Sequence, residues 1–133
     1  MNTLKIAIQK SGRLHDESIQ ILKDCGISVY NGNDQLKVTA SNFPLEVYYL
    51  RNSDIPQYLI DGVVDIAIVG DNLLVEKGQN IQIIEKLGFS KCKVSIAVPK
   101  DFNYNSIQDL NGLRVATSYP KTVIDYFSSK GIF

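Results

Sequence analysis

The sequence predicts an α/β fold, mainly parallel with antiparallel members, and three features carry that prediction. Short runs rich in Ile, Val and Leu alternate with helical patterns along the chain. The run Val63 to Val69 is nearly continuously apolar, as in a parallel strand covered on both faces. Asn31-Gly32-Asn33-Asp34 is dense in turn residues, which adds one antiparallel hairpin to the alternation.

Each element has its own warrant. Leu4 to Gln9 is mostly apolar and strand-like, and Ile19, Ile21 and Leu22 give the apolar side of a helix from about Leu14 to Asp24, ended by Cys25-Gly26. Strands are expected around Ile27 to Tyr30 and Leu36 to Ala40, joined by the hairpin turn, and at Leu45 to Leu50 after Pro44. Asp54 can cap a short helix with Pro56 in its first turn, stopped at Asp61-Gly62. Gly70-Asp71-Asn72 breaks the Val63 to Val69 strand, and Asp71 is placed to cap a helix Leu73 to Lys77. Further strands are expected at Ile81 to Leu87, Val94 to Val98 and Leu113 to Thr117. A short helix is expected at Ser106 to Leu110, closed by Asn111-Gly112. Ser118-Tyr119-Pro120 opens a last helix that ends near Gly131. Gly88 to Lys93 reads as a crossover between two sheets, giving a first α/β domain over 1–90 and a second over 91–133. The second has too few strands and helices to bury a sheet on both faces, so it is expected to be incomplete.

The chain has 133 residues, 44% of them hydrophobic, with 14 Lys+Arg against 14 Asp+Glu. That composition suits a globular protein with a real core, and zero formal net charge gives no general attraction to nucleic acid or anionic membrane. No apolar stretch approaches the roughly 20 residues of a membrane helix, and the first residues lack a signal-peptide pattern, so a cytoplasmic location is the default. Cys25 and Cys92 are far apart, with no paired spacing, and read as two buried free thiols rather than a disulfide or zinc site. His15 is the sole histidine; between a catalytic base and a solvated side chain at a helix start, the second reading is favoured.

One constellation stands out chemically. Gln9-Lys10-Ser11-Gly12-Arg13-Leu14 places two cations, a hydroxyl and a glycine between a strand and a helix, where open α/β sheets bind ligands. An anion is the natural guest, with Arg offering a planar fork and Lys a point charge. Arg51 follows another strand and can reach the same place; Asp71 follows a third. Each has a plainer reading: Lys10 and Arg13 as a solvated turn, Asp54 and Asp71 as helix caps, Tyr119 packed beneath Pro120. Tyr48 and Tyr49 face opposite sides of one strand and, with Tyr58, read as packing residues. Glu76 and Glu85 read as solvated, although Glu76 could also support the turn at Asp71.

Gln9 to Leu14, Arg51 with Asp54-Ile55-Pro56, Asp61-Gly62-Val63-Val64-Asp65, Gly70-Asp71-Asn72, Cys92 with Ser95 to Pro99, and Ala116-Thr117-Ser118-Tyr119-Pro120 follow one another as in the ATP phosphoribosyltransferase family. The chain resembles the N-terminal part of the long-form subfamily. That resemblance implies transfer of phosphoribosyl from phosphoribosyl pyrophosphate to the adenine ring of ATP, releasing pyrophosphate, as the first step of histidine biosynthesis. It implies a periplasmic-binding-protein-like (type II) architecture of two domains with substrates in the cleft, the second domain truncated here. It also implies Mg2+ brought with substrate phosphates and a homo-oligomer. Carried onto this chain, the substrate-binding residues are Lys10, Ser11, Gly12, Arg13, Arg51, Asp71, Thr117 and Tyr119; no catalytic residue and no protein metal ligand is assigned. The family's hydroxyl-rich donor-phosphate loop and its histidine-binding regulatory domain have no match, so the chain is expected to be inactive alone. The competing class is a small-ligand-binding module of the periplasmic type without catalysis. A third is a structural domain that pairs with itself through unpaired strand edges.

Overall fold

In the computed structural model, which describes residues 2–30, 35–78 and 80–132, the chain divides into two compact units, Met1–Lys91 and Cys92–Phe133. The elements run β1 (Leu4–Gln9), α1 (Arg13–Asp24), β2 (Lys37–Thr39), β3 (Leu45–Leu50), α2 (Ile55–Ile60), β4 (Ile66–Ala67), α3 (Asp71–Lys77) and α4 (Pro120–Ser129). Among the described residues, no helix is long and apolar enough to cross a membrane.

The first unit is built on a mixed sheet ordered β2-β3-β1-β4. β1 is its centre: it runs parallel to β3, with Leu4 opposite Leu45 and Gln9 opposite Leu50, and parallel to β4, with Ile6 opposite Ile66. The alternation of strand side chains then sorts the core into two faces. Ile6, Ile8, Val47 and Tyr49 meet Leu22 of α1, while Ala7 and Leu50 meet Ile55 of α2 with Tyr48, Tyr58 and Leu59 against them. The three tyrosines are packing residues, and Tyr48 and Tyr49 do lie on opposite faces. Asp65 sets the register of the short β4: its amide donates to Lys5 O at 2.8 Å, and its Oδ2 accepts the Lys5 amide at 2.9 Å.

Several expectations fail here for identifiable reasons. Ile27 to Tyr30 is no strand, and its hairpin with Leu36 to Ala40 does not form; the predicted turn 31–34 lies outside the described residues. β2 pairs antiparallel with β3 instead, Val38 opposite Val47, and Lys37 reaches Glu46 at 3.2 Å across that pair. Ile27 and Val29 still pack on the α1 face, so their apolar alternation served burial without a ladder. The strand Val63 to Val69 contracts to Ile66–Ala67, although Ile68 N also donates to Ala7 O at 3.0 Å. Asp54 precedes α2 behind a 3-10 turn, Asn52–Asp54, and Asp71 is the first residue of α3 behind Gly70. Neither carboxylate makes a cap hydrogen bond.

Three further assignments are corrected by burial. His15 and Glu76 are buried, because each lies on the inward face of its helix; Glu85 is exposed as expected. Cys25 and Cys92 are free thiols but exposed, since Cys25 sits just beyond the last turn of α1 and Cys92 in an open stretch.

In the second unit a 3-10 turn, Ile107–Leu110, is closed by a capping box in which Ser106 and Asp109 satisfy each other's backbone, and Leu110 is buried. α4 begins at Pro120 and ends before Gly131. The strands predicted at Val94 to Val98 and Leu113 to Thr117 are absent, as is Ile81 to Leu87 at the end of the first unit. Ile84 is 75% exposed and Val115 52%. A strand gains its ladder from a neighbouring strand, and among the described residues none of these segments pairs with one.

Candidate functional site

Parallel strands deliver their C-terminal ends to one edge of a sheet, and three of the predicted site segments leave from that edge. Lys10 to Arg13 follow β1, Arg51 follows β3 immediately, and Asp71 opens α3 just after the strand region of β4. β1 lies between β3 and β4, so the basic turn is flanked by Arg51 on one side and the Gly70-Asp71 turn on the other. The Lys10 amide donates to Leu50 O at 2.7 Å, which joins the start of the turn to the residue before Arg51.

The turn itself is tightly organised. Gln9 Nε2 donates to Ser11 O at 2.9 Å, and His15 Nδ1 lies 2.9 Å from Gln9 O. Gly12 has φ 90° and ψ −171°, a conformation that strains any residue with a Cβ. It is also the N-cap of α1, and no side chain caps that helix. The first amides of α1 therefore lack side-chain partners at a helix end that carries partial positive charge. Such an end suits an anion.

The cations differ in availability. Lys10 and Arg51 are exposed, and among the described residues neither side chain has an ion pair. Arg13 is engaged: its Nη2 donates to Lys91 O at 2.9 Å, and its Nε lies 3.6 Å from Glu17 Oε1 one helical turn on. Exposed pairs of this kind are worth about 0–1 kcal/mol, so a phosphate can compete for the guanidinium. Ser11 and Asp71 are exposed as well. Thr117 and Tyr119 belong to the second unit, where Thr117 Oγ1 accepts the Tyr119 amide at 2.9 Å just ahead of α4. Among the described residues, no three His, Cys, Asp or Glu side chains converge as a metal cage would need.

Gln9 and His15 hold the backbone of the basic turn, and neither stood among the expected substrate-binding residues. A signal existed for His15: His15, Ser18 and Leu22 recur at helical spacing and are the buried residues of α1. Gln9 carries no such signal, because its contact to Ser11 depends on the shape of the turn.

The chain is thus an α/β protein whose mixed sheet brings an uncapped helix start and, among the described residues, two cations without an ion pair, Lys10 and Arg51, to the C-terminal edge of its parallel strands. Comparison with known proteins then fixes the family. The family described as HisG: ATP phosphoribosyltransferase matches residues 51–133. The ATP phosphoribosyltransferase of Cytophaga hutchinsonii is 51% identical over 129 residues, covering 97% of this chain and 45% of that protein. That of Parabacteroides distasonis is 45% identical over the same share of this chain and covers 46% of its own length. The solved ATP phosphoribosyl transferase (HisG:HisZ) complex from Thermotoga maritima aligns over 98% of this chain and 61% of its own, with a TM-score of 0.56 and 22% identity, a likeness of fold. The chain belongs to the ATP phosphoribosyltransferase family. It spans about half the length of the curated relatives it matches.

Proposed function

We propose that this chain is the N-terminal catalytic portion of an ATP phosphoribosyltransferase and supplies the nucleotide-binding side of its active site. The observation that carries the reading is 51% identity to a protein of that name across 97% of the chain. In the proposed reaction a ring nitrogen of adenine attacks the anomeric carbon of phosphoribosyl pyrophosphate, and the bond to pyrophosphate breaks. The sugar passes through an oxocarbenium-like state, so the protein's task is to hold polyphosphate and orient the ring rather than to supply a strong base.

The residues suit that task. Lys10 and Arg51 hold phosphate oxygens of ATP, the amides after Gly12 and the Ser11 hydroxyl donate to them, and Arg13 exchanges Glu17 and the Lys91 carbonyl for phosphate. Asp71 would meet the nucleotide from the neighbouring turn, and Thr117 and Tyr119 are the residues that the family likeness assigns in the second unit. Mg2+ arrives on the substrate phosphates; such an ion needs one or two carboxylates at most, and the exposed Asp71 is the candidate. The architecture proposed is periplasmic-binding-protein-like, type II, with domain I at 1–90 and an incomplete domain II at 91–133, in a cytoplasmic homo-oligomer.

The test is to incubate the 133-residue chain with ATP, phosphoribosyl pyrophosphate and Mg2+ and to follow pyrophosphate release. No turnover is expected from the chain alone, and turnover is expected when it is joined to the remaining sequence of a full-length relative. Turnover by the chain alone would refute the partial-site reading, and an inactive joined protein would refute the assigned activity.

A further inference from the structure

We propose that His15 is the positioning residue of the basic turn: its ring, with a hydrogen on Nδ1, fixes the backbone from which Lys10 and Arg13 project. The proposal rests on the reading of that turn as a phosphate site. His15 lies in the first turn of α1, and helical side chains lean toward the N-terminus, so its ring reaches back across the turn to the last residue of β1. There its Nδ1 is 2.9 Å from Gln9 O. A carbonyl oxygen can only accept, so Nδ1 carries the hydrogen, and the tautomer follows from the partner.

The ring has little freedom to do anything else. It is 7% exposed, and the Tyr49 ring of β3 sits 5.6 Å away, centroid to centroid, at 49°. Tyr49 is itself buried, and β3 is the strand that takes the Lys10 amide at Leu50. Gln9 is thus held from three directions. Its carbonyl is held by His15, its side chain by Ser11, and its strand by the register with Leu50. Lys10, Ser11, Gly12 and Arg13 are all exposed, so no core packing fixes them directly. Their order comes from these polar contacts, and an ordered turn spends less of its binding energy on settling into shape around a ligand. His15 is turned inward behind the turn, which suits a positioning role and not proton transfer to a ligand on the exposed side.

Two variants separate this role from simple packing. His15→Phe keeps a ring against Tyr49 and removes the donor; His15→Asn keeps a donor and loses the ring. Nitrogen-15 spectra of the wild-type chain should show the Nδ1–H tautomer. His15→Phe should raise amide exchange at Lys10 to Arg13 by roughly tenfold while Ile6 and Val47 keep their protection, and should weaken MgATP binding by roughly threefold to tenfold; His15→Asn should restore much of both. An Nε2–H tautomer, or unchanged exchange in the turn of His15→Phe, would overturn the proposal. Faster exchange in His15→Phe with unchanged MgATP affinity would also overturn it while leaving the phosphate site standing, provided Lys10→Ala still weakens binding. If Lys10→Ala leaves MgATP affinity untouched, or the wild-type chain does not bind MgATP, the phosphate reading itself falls and takes the positioning role with it.

Discussion

The segments Leu45 to Leu50 and Val94 to Val98 carry similar apolar character, yet only the first is a strand. Leu45–Leu50 lies between β2 and β1, takes hydrogen bonds from both, and buries Leu45, Val47 and Tyr49 on one face. In Val94 to Val98 the side chains of Val94, Ile96 and Val98 are exposed and no ladder forms among the described residues. The difference teaches that apolar periodicity states a demand for neighbours and does not supply them. In the first unit Leu45 to Leu50 meets that demand and Ile81 to Leu87 does not; nor do the stretches 94–98 and 113–117 of the second.

The largest expected effect tests this contrast directly. Ile8 is fully buried at the centre of the sheet, and Ile8→Ala should cost about 2–5 kcal/mol in urea unfolding followed by circular dichroism. Ile96→Ala, at an exposed position, should cost less than about 0.5 kcal/mol. Equal losses would mean that Val94 to Val98 is packed after all.

One group in each unit should respond at opposite ends of the pH scale, by smaller amounts. Burial pushes the Tyr49 phenol up from its ordinary value of 10.0, so the folded first unit resists its ionisation. Its contribution is intact below pH 10 and is lost as pH rises through the elevated value. In the second unit, hydrogen bonds from the Asn105 and Ser106 amides hold the Asp109 carboxyl below its ordinary value of 3.8. That contribution is present above pH 3.8 and is lost as pH falls through the depressed value. Tyr49→Phe should flatten the alkaline limb of a thermal-stability profile, and Asp109→Asn should flatten the acid response of the amides of Asn105 and Ser106 in hydrogen exchange. An acid response in those amides that persists in Asp109→Asn would remove the capping box as its cause.

The legible parts of the fold were those where pattern and punctuation agreed. Leu4 to Gln9 and Leu45 to Leu50 are strands as read, and the helices after Gly12, Asp54 and Tyr119 start within a residue of their signals. What escaped was pairing: β2 chose β3 over the expected hairpin, and three apolar runs found no partner, because a single sequence says which face is apolar and not what will cover it. For the candidate site, the placement of Lys10, Arg51 and Asp71 just after three strand regions was legible from strand ends alone. The engagement of Arg13 with Lys91 O, 78 residues away in sequence, was not. Nor was the burial of His15, whose polarity concealed its place on the inward stripe with Ser18 and Leu22.

If Lys10 and Arg51, which among the described residues have no ion pair, grip the phosphates of a nucleotide, removing either must weaken its binding. Calorimetric titration of MgATP into the 133-residue chain, its Lys10→Ala and its Arg51→Ala variants tests it most directly. Measurable binding is expected, weaker on the order of tenfold in each variant and weaker still as salt is raised. Affinities that are the same in all three proteins would contradict it.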